Sequence, residues 1–374
     1  MSMLSPLMQK RLRSFMRIRR AWYSLIALGG VYLFCHLAPF FCQSPTKVID
    51  TAALEKYREP VIENVYDIGY ARYNVRPDGT VFDYEGPTNG VFAALVAAKG
   101  DPAGLTDYVA QKTVHEQYTH YFLTTRAAPA ATPVDRGTPE ISFPFRPCRE
   151  HVFGVDAGGR DVYARVVCGM RTALDFGLLL ALTGMFIGLV IGAVEGYFGG
   201  WIDIGCQRFT EIWSSIPFLY VMIFIGSTIG RSFAVLFFCY AIFNWIAVSY
   251  YMRAEFLRLR SRTFVEAAKC QGFSAARIIF GHILPNALTP LITLFPFLLM
   301  GAIGSLAALD FLGFGLPPME PSCGELMRQA QQFRWAWWLI LFPALALFVV
   351  MLLTVLVGAG LRDAFDPRQK SKLE

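Results

Sequence analysis

Charge is what this sequence has least of. Only 17% of its 374 residues are charged, while 55% are hydrophobic and the mean hydropathy is +0.42. A soluble chain of that length needs more charge to cover its surface, so the composition points to a chain that crosses a membrane several times. The phosphate-cradling motif G-x-x-x-x-G-K-[ST] is absent, which excludes a nucleotide-binding loop of that kind. No G-x-S-x-G nucleophile turn occurs either. The eight cysteines form no C-x-x-C pair and no zinc spacing. Cys35, Cys168, Cys206 and Cys239 fall in apolar runs, where they read as small buried hydrophobes. Cys42, Cys148 and Cys323 read as lying outside the cytoplasm, which leaves one disulfide among them open.

The charge that is present is unevenly spread. Residues 43–151 hold 11 Lys/Arg against 14 Asp/Glu, so the rest of the chain carries the whole positive excess of the net +6. Those basic residues flank apolar runs instead of lining one face, which excludes nucleic acid as the partner and fits the bias of cytoplasmic loops toward Lys and Arg. Lys10, Arg11, Arg13, Arg17, Arg19 and Arg20 precede an apolar run at 21–41. The run is too long for a signal-peptide core and no A-x-A site follows it, so it reads as an uncleaved anchor with a cytoplasmic N-terminus.

Five further apolar runs lie at about 173–195, 212–230, 232–252, 287–310 and 336–360, predicting six spans with both termini on one side. Arg253, Arg258, Arg260, Arg262, Lys269 and Arg277 lie between the fourth and fifth spans, and Arg362, Arg368, Lys370 and Lys372 follow the sixth. Both segments therefore read as cytoplasmic. The organisation expected is a cytoplasmic N-terminus with the first span at 1–42, an outer insertion at 43–170, a five-helix core at 171–361 and a tail at 362–374. In the insertion, TAALEKYREPVIENVYDIGYARY reads as partly helical, RPDGTVFDYEGPTNG as turns and RAAPAATPVDRGTPE as an extended linker.

Gly184, Gly188, Gly192 and Gly196 recur every four residues in the second span, a smooth helix face suited to close packing inside the bundle. Pro217 is expected to kink the third span. HEQYTH at 115–120 resembles a zinc-protease helix, but its histidines are five residues apart, not four, so they do not share a helix face. GVDAGGRD at 154–161 is glycine-rich without the lysine a phosphate site needs, and reads as a turn. No residue is assigned to catalysis or to metal binding. Ionisable residues within spans are few: Asp175 and Glu195 near the ends of the second, Asp310 at the outer end of the fifth. Asn244, the polar residue nearest mid-depth, cannot carry a proton. Both points weigh against an ion-coupled secondary transporter, the alternative from another class.

Residues 266–286, EAAKCQGFSAARIIFGHILPN, are too polar to span and too regular for a loose connector. Thr263 and Glu266 fit a capping box opening a helix that runs to about Gln271, and Gly272 supplies the left-handed turn that ends it. Ser274 caps a second helix through ARIIFGHIL, which Pro285 closes. Ala267, Ala268 and Gly272 are expected to leave a small-residue surface on a short exposed helix, suited to insertion into a groove of another protein.

Glu266-Ala267-Ala268, Gly272 and Leu284-Pro285-Asn286 resemble the cytoplasmic EAA loop, at about 253–286 here, of bacterial ABC-importer permeases. FGVDAGGRDVYARVVCGMRTAL, GYFGGWIDIGCQRF, LDFLGFGLPPMEPSCGEL and GLRDAFDPR are similar to the C-type permeases of dipeptide and oligopeptide importers, over about residues 151–368. The basic first span and the long outer insertion look like the YejE branch, associated with peptide and microcin C uptake. The resemblance implies an all-α, type I importer permease with six spans in the bacterial inner membrane. It implies pairing with a second, homologous permease, two ATP-binding subunits or one fused ATPase, and a periplasmic peptide-binding protein. ATP and Mg would be held by the ATPase, with no cofactor on this chain. Glu266, Ala267, Ala268, Gly272, Pro285 and Asn286 would form the contact with it.

Overall fold

In a computed structural model, described for residues 6–57, 62–66, 70–87, 90–126, 131–135 and 142–365, the chain forms two units. One joins Met1–Asp50 to Ser142–Glu374, and the other is Thr51–Ile141. The first begins with helices α1 (Pro6–Arg17) and α2 (Arg19–Leu37), parted by the single non-helical residue Ile18.

The Thr51–Ile141 unit departs from the all-α expectation. Its opening residues are helical, as α3 (Thr51–Leu54), but strands follow: β1 (Ile62–Tyr66), β2 (Tyr70–Val75) and β3 (Val81–Glu85). After α4 (Val91–Ala97) come β4 (Tyr108–Val114), β5 (Thr119–Thr125) and β6 (Ala131–Asp135). An antiparallel sheet runs β3-β2-β5-β4, and β1 pairs separately with β6. The alternation of β2 explains the sheet: Ala71, Tyr73 and Val75 point inward with Leu123, and α4 covers them with Val91 and Leu95. The fully buried Tyr73 hydroxyl donates to the Gly100 carbonyl at 3.2 Å, and burial pushes its phenol pKa up.

RPDGT forms the expected turn, with the Arg76 N–H on the Thr80 carbonyl at 3.0 Å and Gly79 at φ +83°. The stretch read as a linker contributes β6 instead; residues 127–130 and 136–141 lie outside the described residues. HEQY is a hairpin tip, where the His115 N–H bonds the Tyr118 carbonyl at 2.9 Å, and His120 pairs with Asn74 at 2.7 Å. Among the described residues, no group of three or more His, Cys, Asp or Glu is arranged to hold a metal.

The first unit continues as α5 (Val162–Phe198), α6 (Gly200–Ser214), α7 (Phe218–Thr228), α8 (Phe233–Asn244) and α9 (Ile246–Arg260). Then come α10 (Thr263–Cys270), α11 (Ala275–Ile278), α12 (Leu284–Phe311), α13 (Cys323–Gln332) and α14 (Trp338–Phe365). Among the described residues, five helical stretches are long and apolar enough to cross a bilayer: Arg19–Phe40, Val162–Phe198, Phe233–Arg260, Ala275–Phe311 and Trp338–Phe365. A sixth arises if α6 and α7, bent by 65°, count as one. The break is sharper than a kink. The helix stops at Ser214 and restarts after Pro217, whose ring cannot occupy a helix interior without displacing the preceding turn.

α5 is the central helix. Its glycines let four neighbours approach: Gly169 faces the backbone at Ser322–Cys323, Gly177 faces Leu299 and Ile303 of α12, Gly184 faces Asn244 at the end of α8, and Gly188, Gly192 and Gly196 face α9. GVDAGGRD is the turn that starts α5. The Asp156 carboxylate accepts N–H bonds from Gly158 and Arg160, at 2.9 and 2.8 Å. Asp161 caps α5 through the Ala164 N–H at 2.8 Å while pairing with His151 at 2.6 Å. The buried Arg165 reaches the carbonyls of Pro318 and Glu320, at 3.1 and 2.9 Å, holding the FGLPPMEPS loop over the start of α5. α2 lies along α14, where Ala21 fills the space left by Gly360 and Arg20 pairs with Asp363 at 2.8 Å. All eight cysteines are free, so no disulfide joins Cys42, Cys148 and Cys323. Cys323 is buried, and burial pushes its thiol up to about 12.

Candidate functional site

α9 runs out of the bundle into α10, and the α10–α11 elbow forms the exposed end of the sequence singled out above. Gly272 sits at φ +78° and closes α10 with two bonds: its own N–H on the Lys269 carbonyl at 2.9 Å, and the Phe273 N–H on the Ala268 carbonyl at 3.2 Å. That pair is the Schellman arrangement, which requires a left-handed residue. Nothing lies within 4 Å of a Cβ built on Gly272, so conformation alone demands the glycine. Beyond the turn, Ser274 caps α11 through the Arg277 N–H at 3.4 Å. Phe273 stacks on His282 with 5.7 Å between centroids, and the Arg277 guanidinium lies 4.9 Å from the centre of the Phe273 ring.

Three details differ from the sequence reading. The residue capping α10 is Arg262 with no side-chain bond, and Thr263 is already helical, so no capping box forms. Glu266 is instead exposed, and among the described residues no hydrogen bond or ion pair engages its side chain. Ala268 is only 4% exposed and packs inward with Val265, Ile278 and Ile283, leaving Ala267 and Gly272 on the surface beside Phe264. α10 has only two turns, so one face must be buried to hold it, and Val265 and Ala268 share that face. Pro285 does not end the second helix. Residues 275–311 run on through a π-helical turn at Ile279–Ile283, which accommodates the proline, and the Asn286 amide donates to the His282 carbonyl at 2.8 Å.

Of the four glycines in the 184–196 series, Gly188, Gly192 and Gly196 lie against α9 and Gly184 against the end of α8. A Cβ on Gly188 would sit 2.6 Å from the Val248 Cβ, and one on Gly196 would sit 2.6 Å from the Phe256 Cβ. One on Gly192 would sit 2.8 Å from the Met252 Cβ, and Gly184 makes room for Asn244, whose amide donates to the Leu180 carbonyl at 3.0 Å. The sequence reading missed what α9 holds next to this seam. Arg253 chelates Asp203 of α6 at 2.5 and 2.7 Å and lies 3.9 Å from Glu195. Glu195 is 0% exposed, and one of its oxygens accepts from Gln207 at 2.7 Å while the other has no hydrogen-bond partner. Arg260 donates to the Tyr197 carbonyl at 3.4 Å, beside the left-handed Gly199 and Gly200 that turn α5 into α6. A signal was available, since Asp203 and Arg253 are charged residues next to apolar runs. The other span carboxylates also tie elements together: Asp175 accepts from the Tyr32 hydroxyl at 3.0 Å, and Asp310 accepts the Leu316 N–H at 2.7 Å and bonds Ser322.

Residues 184–371 match the model of the binding-protein-dependent transport system inner membrane component, a region that takes in the glycine seam, the elbow and α12–α14. The chain belongs to this family. The permease is 43% identical over 58% of its length to the peptidoglycan transport system permease protein YejE of Agrobacterium fabrum, and the match spans 57% of that relative. It is 40% identical over 61% of its length to the inner membrane ABC transporter permease protein YejE of Escherichia coli, covering 67% of that protein. The dipeptide transport system permease protein DppC of Alkalihalophilus pseudofirmus is 37% identical over 60% of the chain and 74% of its own length. A solved inward-facing structure of the MetNI methionine ABC transporter superposes with a TM-score of 0.46 at 17% identity, over 54% of this chain and 96% of that one. The permease therefore has the type I ABC importer permease fold, carried by family membership, and is a multi-pass protein of the inner-membrane kind.

Proposed function

We propose that this permease is one half of the membrane pathway of an ATP-driven importer of peptides, in the range that the names of its YejE and DppC relatives describe. Both termini would lie in the cytoplasm, six spans would cross the inner membrane, and residues 43–170 would face the periplasm. A second, homologous permease would complete the pathway, and a periplasmic binding protein would deliver the peptide. Microcin C-like peptides are a specific case of that cargo. ATP would be bound together with Mg, and hydrolysed, on the ATPase subunits, with no catalytic residue here.

The observation that carries this reading is the elbow at α10–Gly272–α11. It presents Glu266, Ala267 and Gly272 outward on a two-turn helix, while Val265 and Ala268 pack the same helix against α9 and the π-helical turn that leads into α12. A force applied to the exposed face by a docked ATPase is thus delivered to α9. The glycine seam and the Arg253 cluster fix α9 to α5 and α6, so closure of paired ATPases would tilt the bundle as a lever. Epitope-tagged permease should retain ATPase subunits from membrane extracts, and peptide uptake should be vanadate-sensitive. Uptake that survives vanadate but collapses with an uncoupler would replace this reading with ion-coupled transport.

A further inference from the structure

Helix ends at one side of the first unit enclose a cleft of about 520 Å³, bounded by α1, the end of α9, the start of α12 and the end of α14. Its charge is lopsided. Arg11, Arg258 and Arg362 line it against a single carboxylate, Glu255, which Arg258 already grips. Arg11 and Arg362 have no carboxylate partner among the described residues.

Both free guanidiniums are held in place by neighbours that leave their charge uncancelled. Arg11 donates to the Thr289 hydroxyl at 2.6 Å and lies 5.2 Å over the Phe365 ring. Arg362 lies 5.1 Å over the Phe297 ring. Stacking of this kind fixes a planar fork without neutralising it, which is what bidentate recognition of an anion needs. Thr293 and Asn286 add polar groups to the wall, and Leu259 and Pro290 add an apolar one.

We propose that this cleft binds the phosphate of an anionic glycerophospholipid. A phosphate matches in charge the two guanidiniums that lack a carboxylate partner among the described residues, and the apolar wall accommodates the glycerol and the first methylenes. The location agrees, because the ends of membrane-crossing helices lie at headgroup depth. The proposal rests on the membrane-spanning reading of these helices and is independent of peptide transport.

The test is equilibrium binding to the purified full chain in neutral detergent, using dioctanoyl phosphatidylglycerol against dioctanoyl phosphatidylcholine. Phosphatidylglycerol should bind more tightly. The double variant Arg11→Gln with Arg362→Gln should lose about ten-fold or more in that affinity, leaving phosphatidylcholine unchanged. Arg334→Gln, a basic residue outside the cleft, should behave as the parent. Arg11→Lys with Arg362→Lys keeps the charge and should retain part of the preference, which guards against a glutamine variant that fails to fold. Equal binding of the two lipids, or an undiminished preference in the double variant, overturns the proposal. Displacement by inorganic phosphate at the same concentration would make the ligand a free anion, and displacement by a short acidic peptide would make it a polypeptide. Either result overturns the lipid assignment without touching the transport reading.

Discussion

Replacing Gly272 by valine and by asparagine separates the turn from the surface around it. At φ +78° an L-residue costs about 1–2 kcal/mol, more for a β-branched one and less for asparagine. A Cβ here meets nothing within 4 Å, so the permease itself adds no steric term. The chain could relieve the strain by opening the turn, but that gives up the bonds to the Lys269 and Ala268 carbonyls, together about 2 kcal/mol. The two costs are similar, so valine should leave α10 and α11 formed only part of the time in their present angle, with insertion and bulk stability nearly unchanged. Asparagine tolerates the left-handed region and should keep the angle. We therefore expect Gly272→Val to abolish coupled uptake and ATPase retention, and Gly272→Asn to keep most of both. Uptake in vesicles and co-purification of the ATPases measure the effect, with limited proteolysis reporting membrane assembly. Normal transport by the valine variant would refute the coupling role of the loop. Equal loss in both variants would refute the turn argument and assign the defect to crowding at the partner surface.

Gly188→Leu and Gly192→Leu should each force α5 from α9, at about 3 kcal/mol or more, and reduce the yield of assembled permease; unchanged assembly and uptake would mean that the seam is not tight. Arg253→Met should cost about 3 kcal/mol by stranding the buried Glu195 beside Asp203. Adding Glu195→Gln and Asp203→Asn should restore part of the thermal stability, and a triple variant no better than the single one would contradict the charge-cluster account. Deleting Thr51–Ile141, with a short linker, should leave the remaining core able to insert and unfold cooperatively, because that unit has a separate hydrophobic core; uptake at the parental rate would show that the insertion has no part in transport.

The membrane helices, the glycine face and the elbow were legible in the sequence because each depends on local rules. A bilayer rejects charge over a whole helix length, so five of the six apolar runs mark long spans whose ends alone are misjudged, as where α5 begins at Val162, not near 173, while the run near 212–230 falls on the broken pair α6 and α7. Gly272 and Ser274 were legible because a left-handed turn and an N-cap depend on a few consecutive residues. The alternation Tyr70–Val75 also carried a strand signal, but one too short to override the helical look of TAALEK, and which strands pair is a nonlocal choice. Tertiary structure alone decided the remainder. Thr263 fits a capping box, yet in the fold the cap falls one residue earlier, at Arg262, and packing turns Ala268 inward because two short turns need an anchored face. The same holds for Arg253, Asp203 and Glu195, fifty residues apart in part and joined only where α5, α6 and α9 meet. A charge reveals its type in sequence, but its partner, and so its energy, is fixed by the approach of distant helices.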